Sequence, residues 1–199
     1  MDLLHKQLLD YHLILASASP RRISLLKELN LTFDVLPLDV DEVYPPYLSD
    51  HEVARYLANL KADAFPAEKL TKKTILITAD TIVFLNDEVL GKPDDREHAI
   101  EMLRTLSGKM HKVITGVCLR SKNKSIIFSN ETDVYFCNLS EDEIIWYVDQ
   151  FKPFDKAGSY GIQEWIGYIG IEKIEGSYFN VMGLPVQQLY SELGKFISE

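Results

Sequence analysis

An α/β fold is predicted by three observations. Apolar runs of strand length alternate with segments of helical periodicity. No internal repeat or low-complexity tract interrupts that alternation. The connections are short, so a second lobe would be inserted into the first rather than tethered to it. The 199 residues suit one globular domain, or two closely merged lobes, with room for a sizeable core.

Taken in order, Leu13-Ile14-Leu15-Ala16 reads as a short buried strand, and Pro20 opens a helix reaching about Asn30 that buries Ile23, Leu26 and Leu29. Residues 33–36 predict a second strand, followed by the acidic loop Asp39-Val40-Asp41-Glu42 and by Pro45-Pro46. Ser49 or Asp50 caps a helix whose apolar stripe is Val53, Leu57, Leu60 and Ala64. Residues 74–85 form a long β-rich stretch, with Asn86-Asp87 as the hairpin turn before Val89-Leu90. Asp94 or Asp95 caps a helix carrying Ala99, Ile100, Leu103 and Leu106, and Gly108 lies just beyond it. Strands follow over 112–120 and 126–139. Ser140-Glu141-Asp142-Glu143 is a capping box that opens a helix through Val148. Six glycines then fall between Gly158 and Gly183, among Tyr160, Trp165, Tyr168, Tyr178 and Phe179; no regular element is read there. Pro185 opens the final helix, with Leu189 and Leu193 facing inward. Residues 1–12 are set apart as an amphipathic extension, a helical arm or a disordered tail, ahead of a single domain over 13–199.

Composition narrows the partners. Lys and Arg total 21 against 30 Asp and Glu, a formal net charge of −9, which argues against nucleic acid because affinity for a polyphosphate backbone rests on clustered cations. No apolar run reaches the ~18 residues of a membrane span, and the N-terminus lacks the basic start and unbroken apolar stretch of a signal peptide. Cys118 and Cys137 have no metal-ligand spacing, so reduced thiols in a cytoplasmic protein are expected. The five histidines show no HxxxH or HxH pairing, and no GxSxG, Walker-type loop or GxGxxG is present.

Four segments carry chemistry. Ser17-Ala18-Ser19-Pro20-Arg21-Arg22 leaves a strand and enters a helix, where open N–H groups and the helix dipole favour an anion. Two of the chain's six arginines stand in that first turn, an unfavourable place for cations unless an anion offsets them; a well-capped helix with solvated arginines is the alternative. Asp80 lies inside an apolar β run, where a carboxylate must be hydrogen-bonded, paired or metal-bound; it is a general base, a ligand for a hard cation, or a residue at a solvated bend. Lys92 sits in Gly91-Lys92-Pro93, and Lys61 borders the stripe of its helix; spacing alone makes the first a surface turn and the second a snorkelling lysine. The fourth is Lys156-Ala157-Gly158-Ser159-Tyr160-Gly161-Ile162-Gln163, whose glycines admit close backbone approach and whose glutamine amide suits a pyrimidine edge, or which is a glycine-rich turn beside a core.

Together these segments resemble the Maf family, the septum-formation-protein relatives with nucleotide pyrophosphatase activity. The matching pieces are SASPRR at 17–22, ADTIV at 79–83, GKP at 91–93, Leu106-Ser107-Gly108, Thr115-Gly116-Val117, KAGSYGIQ at 156–163, Gly176-Ser177-Tyr178 with Asn180, and Gly183-Leu184-Pro185. They stand in family order from Ile14 to Leu193. The resemblance implies an α/β fold with an elongated mixed sheet flanked by helices, similar to inosine-triphosphate pyrophosphatases, with two merged lobes around a central cleft, and a homodimer. It implies hydrolysis of a nucleoside triphosphate to monophosphate and pyrophosphate with a divalent cation, Mg²⁺ or Mn²⁺. By position, Asp80 matches the proton acceptor. Arg21, Thr81 and Gln163 match positions tied to substrate choice, and Lys61, Lys92 and Glu42 match further active-site positions. Asp80-Thr81 with Tyr160-Gly161-Ile162-Gln163 is similar to the branch acting on dTTP and UTP. Glu164 and Trp165 depart from the glycine that many relatives carry after the glutamine.

The resulting expectation places the triphosphate on Ser17, Arg21, Arg22, Lys61 and Lys92, with a cation on Glu42 and Asp80. The physiological role would be house-cleaning of canonical or modified pyrimidine nucleotides. The alternative is a nucleotide-binding regulator of cell division or septum formation with little turnover.

Overall fold

In the computed structural model, which describes residues 4–86 and 88–198, helix α1 (Leu4–Gln7) and a 3₁₀ turn (Leu8–Asp10) lead into strand β1 (His12–Leu15). Leu4 and Leu8 are buried while Leu9 is 80% exposed, and the Leu4 N–H donates to the Tyr190 hydroxyl at 3.4 Å. From Leu4 onward the N-terminal segment is therefore a docked helical arm; Leu3 lies outside the described residues.

Helix α2 (Pro20–Glu28) is capped by Ser19 and stops earlier than its periodicity suggests, with Leu29 as C-cap and Asn30 at φ 56°. Its buried face is Leu25 and Leu26, leaving Ile23 and Leu29 half-buried at the edges of the stripe. Strand β2 (Phe33–Val35) follows, then α3 (Asp50–Asp63). The Ser49 N–H donates to Glu52 Oε2 at 2.9 Å, the reciprocal arm of a capping box. Helix α3 buries Val53, Ala54, Leu57, Ala58 and Ala62, not the Leu60 and Ala64 of the predicted stripe. The reason is steric: alanines at 54, 58 and 62 recur every four residues and let the helix backbone lie against the sheet, which rotates the bulkier Leu60 to the margin.

Strand β3 (Thr74–Leu85) is unbroken, and β4 (Glu88–Leu90) folds back on it. Asn86 opens that turn at φ 51°, and Asp87 lies outside the described residues. Asp95 caps α4 (Arg96–Leu106) by accepting the His98 N–H at 2.8 Å, and the buried face of this helix includes Ala99, Ile100, Leu103 and Leu106 as its spacing requires. Strands β5 (Met110–Arg120) and β6 (Ser125–Phe136) precede α5 (Glu141–Phe151), whose capping box joins Ser140 and Glu143. The glycine-rich region contains a 3₁₀ turn (Ala157–Ser159), α6 (Trp165–Gly170), β7 (Ile171–Glu175) and α7 (Tyr178–Met182), and α8 (Val186–Ser198) closes the chain.

The sheet is mixed, in the order β2-β1-β3-β5-β6-β7, with β4 also on β3. β1 pairs parallel with β2 and β3, whereas the β3/β4 and β6/β7 pairs are antiparallel. No helix among the described residues is long and apolar enough to cross a membrane.

The chain divides into two compact units: the first is the chain up to Asp80, Thr115–Asn130 and the chain from Gly183; the second is Thr81–Ile114 with Glu131–Met182. In the first, Ile14, Ala16, Leu76 and Cys118 pack with Ala58, Ala62 and Phe65. Three contacts set the height of α3 over its strands. A Cβ on Gly116 would stand 2.1 Å from the Ala54 carbonyl oxygen, so only glycine allows that approach. The Thr78 hydroxyl donates to the Ala58 carbonyl at 2.6 Å, and Arg120 donates to Asp63 at 2.6 Å and Asn59 at 2.8 Å.

The second unit has its own core, including Leu103, Leu106, Val134, Phe136, Ile144, Tyr147, Tyr160 and Ile166. His111, 1% exposed, shares a 2.7 Å hydrogen bond with the Tyr160 hydroxyl and meets Phe136 edge-on at 5.0 Å. Burial pushes its imidazole down to about 3.

Two outcomes are expected. Gly116→Ala forces the helix backbone to move and should lower stability by about 2 kcal/mol, read as a Tm fall of roughly 4–8 °C. Below about 6.5 the unfolded chain binds a proton that native His111 refuses. The stabilisation from neutral His111 is thus full above the unfolded pKa and is lost as pH falls towards 3, with a slope of up to about 1.4 kcal/mol per pH unit. His111→Phe should flatten that part of the curve of urea midpoint against pH.

Candidate active site

Strand β1 delivers the chain into Ser17, which is 8% exposed. The Ser17 hydroxyl oxygen accepts the Ser19 N–H at 3.2 Å, the Ser19 hydroxyl oxygen accepts the Arg22 N–H at 3.5 Å, and the Ile23 N–H returns to the Ser19 carbonyl at 3.1 Å. Pro20 has no N–H to offer. The first turn of α2 is thus largely self-capped, and the open backbone donors expected there are mostly committed. What the turn presents is side chains. Arg21 is half-buried. Arg22 donates its Nε–H to the Gly183 carbonyl at 2.8 Å, tying the helix start to the turn before α8. Burial holds the Arg22 guanidinium below its ordinary value; Asp80 opposes that shift, Arg21 adds to it and Glu42 opposes it.

Asp80 is the decisive residue. It lies inside an unbroken strand at 6% exposure, so the solvated-bend alternative falls. Along β3, Leu76, Thr78 and Asp80 alternate onto one face. Thr78 meets Ala58 of α3, and one helical turn on from Ala58, Lys61 meets Asp80: its ammonium donates to Asp80 Oδ1. The same Nζ lies 2.8 Å from Glu42 Oε1. The Lys61 side chain is 14% exposed. It is therefore a half-buried cation shared by two carboxylates rather than a snorkelling lysine. Asp39, Asp41 and Glu42 of the acidic loop are all exposed, and Glu42 is the one that reaches Lys61.

Glu42 and Asp80 are hard oxygen donors that already converge on one positive group, a donor set of the chemistry that Mg²⁺ or Mn²⁺ takes. The arrangement sets a buried carboxylate beside two cationic groups, Lys61 bonded to it and Arg22 close enough to interact with it electrostatically.

The second unit holds Thr81, Lys92 and Gln163. Thr81 is half-buried and Lys92 exposed. The Gly158 N–H donates to the Gly91 carbonyl at 3.0 Å, so the Gly91-Lys92-Pro93 turn is joined to the 156–163 segment. Gly158, at φ 68°, has no room for a Cβ, which would stand 2.9 Å from Val83 Cγ2. The Gln163 side-chain oxygen is buried and has no hydrogen-bond partner among the described residues. Such an acceptor costs about 1–3 kcal/mol when left unmade. Glu164 does not stand loose beside it: its carboxylate accepts from the Tyr147 hydroxyl and lies 3.1 Å from Lys156 Nζ. Lys156 opens the fourth segment but its sequence assigns it no partner, and Tyr147 lies outside all four segments. The one signal for Tyr147 is its place in the stripe Ile144, Tyr147, Val148, which reads as core.

Residues 12–196 match the model of the family described as Maf-like protein. The chain belongs to the Maf-like family. This Maf-like chain is 51% identical over 192 residues to the dTTP/UTP pyrophosphatase of Parabacteroides distasonis, covering 96% of the chain and 99% of that relative. It is 54% identical over 184 residues to the dTTP/UTP pyrophosphatase of Bacteroides fragilis, covering 92% and 95%. Among solved structures, the Ham1 protein of Staphylococcus aureus shares its fold with a TM-score of 0.53 at 17% identity, over 92% of the Maf-like chain and 98% of the other.

Removing the shared cation should be costly. Lys61→Met leaves Asp80 and Glu42 without their ammonium and is expected to lower stability by about 2–3 kcal/mol, measured as the shift in urea midpoint. Arg104→Met, which breaks the exposed pair with Glu141, should shift it much less.

Proposed function

We propose that this chain is a nucleoside triphosphate pyrophosphatase that hydrolyses dTTP and UTP to dTMP or UMP and pyrophosphate. The observation that carries the reading is Asp80, a buried carboxylate oriented by Lys61, in a chain about half identical over nearly its whole length to relatives bearing that name.

In the proposed reaction Asp80 orients a water and takes its proton as the water oxygen bonds the α-phosphorus. The bond from the α-phosphorus to the bridging oxygen breaks, and pyrophosphate leaves with that electron pair. Ser17, Arg21, Arg22, Lys61 and Lys92 serve the triphosphate, and Thr81 and Gln163 serve choice of base. Because the backbone donors of the α2 start are largely spent on capping, phosphate recognition there falls to side chains, and guanidinium groups suit that task because they fork onto phosphate oxygens. A Mg²⁺ or Mn²⁺ ion would be held by Glu42 and Asp80 and would offset charge on the phosphates. Positioning and charge stabilisation account for most of the expected rate, as in phosphoryl transfer generally.

The test is a panel of nucleoside triphosphates with product identification in Mg²⁺ and in Mn²⁺. Pyrophosphate and the monophosphate are expected from dTTP and UTP, with kcat reduced by about 10²–10⁴ in Asp80→Asn; orthophosphate with a diphosphate would overturn the reading.

A further inference from the structure

Glu164 stands at the N-cap of α6, where a short acceptor side chain ordinarily caps the helix, yet it makes no cap. Its carboxylate turns the other way, to the Tyr147 hydroxyl and to the ammonium of Lys156 at 3.1 Å. Lys156 is itself 8% exposed and lies 2.8 Å from Asp155 Oδ1. The same Tyr147 oxygen accepts the Gly161 N–H at 3.1 Å, and the Glu164 N–H donates to the Gly161 carbonyl at 2.9 Å. One phenol thus ties the first residue of a four-residue turn to the side chain of the last, and Gln163 lies inside that closed ring.

Gly161 shows how close the parts are. A Cβ there would stand 2.9 Å from Gln163 Nε2 and 2.9 Å from Glu164 Cδ. Both side chains therefore cross the same glycine side by side. The carboxylate is fixed from two directions, whereas the amide has an oxygen with no partner among the described residues. A glutamine side chain loses much rotamer freedom when it is held, and a fixed neighbour removes part of that loss before a ligand arrives.

We infer that Glu164, held by Lys156 and Tyr147, is a positioning residue that sets the Gln163 amide for pyrimidine selection. The inference rests on the proposed dTTP/UTP activity and on the role of Gln163 in base choice. It assigns a function to the Tyr147–Glu164–Lys156 network, which otherwise only stabilises the turn.

The experiment measures kcat and KM for dTTP, UTP and dATP in the wild type, Tyr147→Phe, Glu164→Ala, Glu164→Gln, Gln163→Ala and the Glu164→Ala/Gln163→Ala double variant. Tyr147→Phe and Glu164→Ala should raise KM for dTTP and UTP about tenfold with kcat within about twofold and KM for dATP unmoved. Glu164→Gln, which keeps an acceptor for Tyr147, should recover most of the loss, and the double variant should be no worse than Gln163→Ala alone. Equal KM increases for all three nucleotides, a fall in kcat alone, or an additive double variant would overturn the positioning role while wild-type pyrophosphate release stands. A wild type that releases no pyrophosphate from dTTP or UTP would overturn the activity itself and the inference with it. Tyr147→Phe keeps the ring stacked on Phe151, so it decides the matter if Glu164→Ala does not fold.

Discussion

A single ammonium group holds the candidate active site together. Asp80 sits in the middle of an apolar strand with its side chain 8% exposed, a placement that costs several kcal/mol for an unpaired carboxylate. Lys61 offsets that cost and draws Glu42 to the same point. The pair forms only because α3 runs low over the sheet. That height is set by the missing side chain of Gly116, by the alanines at 54, 58 and 62, and by the Thr78 hydroxyl bound to the Ala58 carbonyl. A glycine on one strand thereby determines whether a lysine on a helix can reach an aspartate on another strand.

The two units solve different problems by different means. In the first, charge is concentrated: Arg21, Arg22 and Lys61 with Glu42 and Asp80. Within a chain of net charge −9, such a local set is the kind of feature that the proposed binding of a compact polyanion requires. In the second, Lys156 and Glu164 are paired beside Tyr147, and the neighbouring Gln163 amide keeps a buried oxygen with no hydrogen-bond partner among the described residues. Attraction by charge is strong and indifferent to the identity of a base; a neutral amide is weak and selective.

Much of the fold was legible where hydrophobic period and capping chemistry agreed. The helix after Asp95 buries the residues its spacing names, Ser140 and Glu143 form the capping box that their sequence spells, and the strand over 74–85 has the bounds read from its apolar run. Legibility failed where packing overrides period. In α3 the alanines face the sheet because they are small, a choice no hydrophobicity pattern conveys. The short elements between Gly158 and Gly183 lie in a stretch where glycine and aromatic residues give neither period. At the site, Asp80 stood out as a charge among apolar residues, but Lys61 is indistinguishable by spacing from a surface lysine, and only the fold shows that Asp80 and Glu42 await it. The pairing of Tyr147 and Lys156 with Glu164 was hidden for the same reason: partners seventeen and eight residues away are brought together by a turn whose geometry no local pattern encodes.

The self-capped start of α2 bears on how such a protein changes over generations. Backbone donors belong to the fold and cannot be exchanged by mutation, whereas Ser17, Arg21 and Arg22 can each be replaced one codon at a time. With the N–H groups of Ser19, Arg22 and Ile23 already committed within the turn, whatever this helix start offers a ligand lies mainly in its side chains. Ser17 and Arg22 also hold the fold, through the Ser19 N–H and the Gly183 carbonyl, so a substitution at either changes the surface of the turn and its local structure together.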